Sequence, residues 1–75
     1  MNPKLVQVFA ETLDVDPASI VETTSPKTVP SWDSLASLNL LAAVEKAFGV
    51  SFTMEETLAM EDVGAVSRIL ATKLG

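Results

Sequence analysis

The chain has 75 residues, 48% hydrophobic and 20% charged, with no cysteine, no histidine and a net charge of −5 at pH 7. A single domain over residues 1–75 is expected, ordered by an apolar core alone, because no disulfide or Cys/His metal site is available as a staple. Ser-His-Asp and Cys-His catalysis are excluded, so no enzyme and no catalytic residue is expected; the acidity argues against nucleic acid and anionic membranes and favours basic protein partners.

At the start, Met1-Asn2-Pro3-Lys4-Leu5 lacks the apolar run of a secretory leader, and Glu11 and Asp14 arrive early. No stretch approaches the ~18 apolar residues of a membrane span. A cytoplasmic monomer without membrane insertion is the expectation. Asn2-Pro3 makes a cap and first-turn pair for a helix over about Pro3 to Leu13, with Leu5, Val8, Phe9 and Leu13 on one face. Asp16-Pro17-Ala18-Ser19-Ile20 repeats the signal, with room for only a short turn. Residues 21 to 33 form a long connection, broken by Pro26 and Pro30 and rich in Thr and Ser. Such a loop is either functional or an ordered linker between distant helix ends.

Asp33 caps a second helix that runs to about Phe48, where Gly49 marks its end. Val50 to Thr53 link it to a short helix, Met54 to Met60. Asp62 caps a last helix with Val63, Val66, Leu70 and Leu74 on one stripe, Ile69 beside it and Lys73 in the final turn. The fold class is all-α, a bundle of three main helices plus one short helix.

The second helix carries two apolar faces. At ~100° per residue from Leu35, Leu40, Leu41, Val44 and Phe48 fall between about 140° and 240°, an ordinary core face. Leu35, Leu38 and Ala42 lie between about 300° and 0°, nearly opposite, with Asn39, Glu45 and Lys46 among or beside them. Two readings stand: this second face docks a partner, or the long loop or another helix covers it. Ser34, the first helical residue, lies between the faces, where unsatisfied amides and the helix field favour an anion. By position alone it reads as an ordinary first-turn serine. Trp32 is expected to pin its loop to the core with its indole N–H satisfied locally. Met54 and Met60 are expected to fill gaps. Glu55-Glu56 and Glu61-Asp62 fit no calcium loop and read as a solvated face, so no metal site is expected.

The run Trp32-Asp33-Ser34-Leu35, followed by Leu38, Leu40, Leu41, Glu45 and Phe48, resembles the acyl carrier protein family. That family has an Asp-Ser-Leu motif opening its second helix and a Leu-Glu-x-x-Phe-like ending, here Val44-Glu45-Lys46-Ala47-Phe48. The resemblance extends over nearly the whole chain. Length, acidity, the long first loop, Phe52, Glu55-Glu56 and Val63 all agree with it. It implies an acyl-carrier-like bundle and a discrete carrier whose Ser34 bears a covalent 4'-phosphopantetheine arm taken from coenzyme A. The terminal thiol of the arm then holds acyl groups as thioesters. Asp33 becomes the motif acid as well as the helix cap, and Leu35, Leu38, Asn39, Ala42 and Glu45 become contacts for partner enzymes. The partners implied are a phosphopantetheinyl transferase, an acyl- or aminoacyl-loading ligase, and acyltransferases or condensing enzymes. Ala36, Asn39 and Lys46 stand where members serving fatty acid synthesis often carry acids, and Pro30-Ser31-Trp32 replaces a Gly-containing lead-in. These departures point to a specialised lipid or secondary-metabolite pathway. An aminoacyl or D-alanyl carrier paired with an adenylating enzyme, and an unmodified helical interaction module, remain alternatives.

Overall fold

A computed structural model describes residues 1–74. Its first helix, α1, spans Pro3–Leu13; the Asn2 side chain accepts the Lys4 amide at 2.9 Å, and Pro3 occupies a first-turn position whose N–H would be unsatisfied anyway. α1 ends on Asp14, which turns left-handed at φ 57° and ψ 52° while its amide returns to the Ala10 carbonyl. A side chain with a Cβ is strained in that conformation, and a carboxylate at a helix C-terminus opposes the helix field. Asp14→Gly is therefore expected to raise stability by about 0.5–1 kcal/mol, read as an increase in the urea midpoint.

A 3₁₀ turn over Pro17–Ser19 follows, capped by Asp16 through the Ala18 amide. The connection from Ile20 to Asp33 is the ordered linker of the two alternatives. Thr24 is buried; its Oγ1 accepts the Val21 amide at 3.0 Å and donates to the Ser19 carbonyl at 3.3 Å. The loop also closes the last helix, α4 (Val63–Leu74): the Val63 amide donates to the Thr24 carbonyl and the Gly64 amide to the Glu22 carbonyl, both at 2.9 Å. Asp62 Oδ1 accepts the Ala65 amide at 2.7 Å, so the first three amides of this buried helix all find partners. A Cβ at Gly64 would lie 3.1 Å from the Glu22 carbonyl oxygen, which explains a glycine in a first turn.

The central helix, α2, spans Ser34–Phe48 and stops at Gly49, left-handed at φ 65°. The short α3 covers Met54–Leu58, two residues less than the sequence pattern predicts, and opens with a capping box. Thr53 Oγ1 accepts the Glu56 amide at 3.1 Å, and Glu56 Oε1 accepts the Thr53 amide at 2.8 Å. The same Glu56 oxygen meets Lys73 Nζ at 2.8 Å, and Lys73 lies 5.4 Å from the Phe52 ring centroid. This triad fastens α3 to the end of α4.

The Lys73 hydrogen bond first, then the Thr53 amide, holds the Glu56 carboxyl below its ordinary 4.5. A group depressed on folding stabilises fully above its unfolded value, and that contribution is lost as pH falls through the folded value. Glu56→Gln is thus expected to lower the urea midpoint at neutral pH and to flatten its decline on acidification below 4.5. A pH series of urea titrations checks both effects.

The core unites Leu5, Phe9 and Leu13 of α1 with Leu40 and Val44 of α2, Val63, Val66 and Leu70 of α4, and Ile20 and Trp32 from the connection. Two expectations need correcting. Leu74 is half-exposed rather than part of the α4 stripe, because the bundle ends one turn earlier. Met54 is 76% exposed rather than a gap-filler: it opens the five-residue α3, whose Thr57 faces the interior, while Met60, beyond the end of that helix, packs partly buried against the core as expected.

Candidate functional site

Ser34 is the first residue of α2 and is exposed. Asp33 sets up the helix start: its Oδ1 accepts the Ala36 amide at 2.8 Å, and its carbonyl accepts the Ser37 amide at 2.9 Å. Capping of this kind takes the third and fourth amides and leaves those of Ser34 and Leu35 for an outside acceptor. Among the described residues, no group hydrogen-bonds the Ser34 Oγ. The hydroxyl faces water in the positive field of a 15-residue helix, where a phosphodiester would be stabilised.

What precedes Ser34 is rigid. Trp32 is 5% exposed, its ring edge-to-face with Phe9 at 5.4 Å and 63°, and its indole N–H donates to Ser37 Oγ at 2.9 Å. Ser31 Oγ donates to the Leu13 carbonyl at 2.8 Å. The lead-in is therefore tied both to the end of α1 and to the second turn of α2. The anchor role expected of Trp32 is what the structure shows. Sequence reasoning did not single out Ser37, although a serine at about 200° on the α2 wheel, in the middle of its apolar face, was a signal that something there needed a hydrogen bond.

Beside Ser34, Leu35 is 66% and Leu38 64% exposed. Asn39 and Ala42 are exposed too. Neither the loop nor another helix covers these leucines, which removes the covered-face alternative. Glu45, at the far end of the helix, has an internal task as well: its Oε2 accepts the Phe52 amide at 2.9 Å and so holds the linker to α3. Met54 and Leu58 of α3, at 76% and 75% exposure, are further exposed apolar side chains that the sequence did not reveal. Among the described residues, no helix is long and apolar enough to cross a membrane.

The Ser34 hydroxyl thus stands exposed at the start of the central helix with no partner among the described residues. The family model described as a phosphopantetheine attachment site matches residues 3–70, and the chain belongs to that family. It is a carrier protein that bears a covalently attached 4'-phosphopantetheine, and carriers of this kind work with a phosphopantetheinyl transferase and with partner enzymes. Among curated proteins, none matches the chain.

Proposed function

We propose that this protein is an acyl carrier whose Ser34 bears the arm, serving a specialised lipid or secondary-metabolite pathway in the cytoplasm. The observation that carries the reading is the exposed Ser34 hydroxyl, unpartnered at the capped start of α2. In the transfer, Ser34 Oγ forms a new P–O bond with the phosphopantetheine phosphate of coenzyme A. The 3',5'-ADP portion departs with the electrons of the broken pyrophosphate bond, and the hydroxyl proton passes to the transferase. The arm supplies a thiol that this cysteine-free chain lacks, able to hold acyl groups as thioesters. Asp33 orders the helix start that offers Ser34 to the transferase. Leu35, Leu38, Asn39 and Ala42 form the contact face for the transferase, loading ligase, acyltransferase and condensing enzymes, and Glu45 adds its charge at the far end.

Incubation with coenzyme A and a promiscuous transferase, followed by peptide mass mapping, tests the assignment. One phosphopantetheine mass on the peptide containing Ser34 is expected, and an arm found elsewhere overturns it. Loading the holo-protein with fatty acyl and aminoacyl donors in parallel then separates the acyl reading from an aminoacyl one.

A further inference from the structure

The water-facing side of α2 differs in charge from those of the other helices. The chain carries a net charge of −5, yet no charged residue falls between Ser34 and Val44. Within that stretch Ser34, Leu35, Ser37, Leu38, Asn39 and Ala42 are exposed. Exposed positions on α1, α3 and α4 include Lys4, Glu11, Glu55 and Arg68. Two charges stand further along α2. Glu45 is half-buried, and its Oε2 accepts the Phe52 amide at 2.9 Å. Lys46 is exposed, about 20° from Leu35 around the helix and about 18 Å along the axis from Ser34. Glu11 lines the same shallow groove between α1 and α2, but among the described residues Lys46 forms no ion pair. The exposed charge on this face is therefore a cation, in a chain that is acidic as a whole.

We infer that the phosphopantetheinyl transferase for this carrier seats α2 through an apolar socket for Leu35 and Leu38, and that Lys46 rejects transferases whose carrier site is basic; the inference rests on the proposed attachment at Ser34. A basic site finds no carboxylate to pair with over the first three turns of α2, and Lys46 repels it beyond them. Leu35 and Leu38, 66% and 64% exposed, instead lose water on meeting an apolar surface. Specificity then has an attractive and a repulsive element on one helix face. Association that owes little to ion pairing changes little with salt.

The test measures kcat/KM for arm transfer from coenzyme A to the full chain by two transferases, one with an apolar carrier site and one with an arginine-rich site. With the first, the rate is expected to change less than about twofold between about 50 and 500 mM sodium chloride. Leu38→Asp should lower it about tenfold or more, because the socket would have to take in a carboxylate. Leu38→Asn, which adds no charge, should lower it about threefold or more and serves where Leu38→Asp folds poorly. With the arginine-rich transferase, the unchanged protein is expected to react about tenfold more slowly than with the apolar one. Lys46→Glu should raise that slow rate about fivefold at low salt, and the gain should vanish at high salt. Preference for the arginine-rich enzyme, a steep fall with salt on the apolar one, full rates in both Leu38 variants, or no gain from Lys46→Glu overturns the inference. Absence of any mass on Ser34 with both enzymes defeats the attachment assignment itself, whereas transfer to Ser34 with the opposite salt and charge profile defeats only the apolar docking.

Discussion

Ser34→Ala is expected to abolish attachment of the arm completely while leaving the bundle folded. Intact-mass spectrometry after treatment with coenzyme A and transferase should show the added group on the unchanged protein and none on the variant. The separation of the two effects follows from where the residue sits. Ser34 is exposed at the first position of α2, and its side chain makes no hydrogen bond among the described residues. The helix cap belongs to Asp33, whose Oδ1 holds the Ala36 amide. Alanine is a good helix former, so the urea midpoint should correspond to a change within about 0.5 kcal/mol. A variant that still gained the arm would move the attachment point to another hydroxyl. One that unfolded would mean the serine supports the helix rather than presents the hydroxyl.

Trp32→Ala is expected to have the opposite profile, with a large loss of stability and no direct loss of the Ser34 hydroxyl, the proposed acceptor. The indole is 5% exposed, meets Phe9 edge-to-face and donates to Ser37 Oγ. Removing a buried aromatic side chain of this size costs about 3–5 kcal/mol, as the lost transfer energy and the residual cavity add. A domain this small has about 4–11 kcal/mol in all, so the substitution removes much of the available stability. Urea unfolding followed by far-ultraviolet circular dichroism measures the loss. A cost below about 1 kcal/mol would show that the site collapses around the missing ring and that Trp32 is not the anchor of the lead-in. Any fall in modification of this variant should track the unfolded fraction, unlike the loss in Ser34→Ala.

Local chemistry made much of the architecture legible. Asn2-Pro3, Asp16-Pro17, Asp33, Thr53 and Asp62 are short polar residues at helix or turn starts, and each cap is satisfied within about three residues, so the signal lies in the sequence itself. The two faces of α2 were legible for the same reason, since a wheel requires only the helix. Less was legible where a side chain answers to something distant in the chain. Ser37 gained its meaning from Trp32, Glu45 from the Phe52 amide, and Gly64 from the Glu22 carbonyl. Met54 and Leu74 are apolar residues that periodicity assigns inward, yet both lie at the end of a short element or of the bundle, where no neighbour remains to bury them.

The amino-acid sequence by itself determined the helices and their caps, the Asp33-Ser34-Leu35 run at the start of α2 and the absence of any thiol or imidazole, because each depends on residue type and near-neighbour spacing. Only the tertiary structure decided that the long connection folds down to close the start of α4, that Leu35 and Leu38 stay uncovered, and that Trp32 joins Phe9 of α1 to Ser37 of α2 just before Ser34. Those outcomes depend on which surfaces meet across the bundle, and packing between distant segments is set by the shape of the whole core rather than by any local pattern.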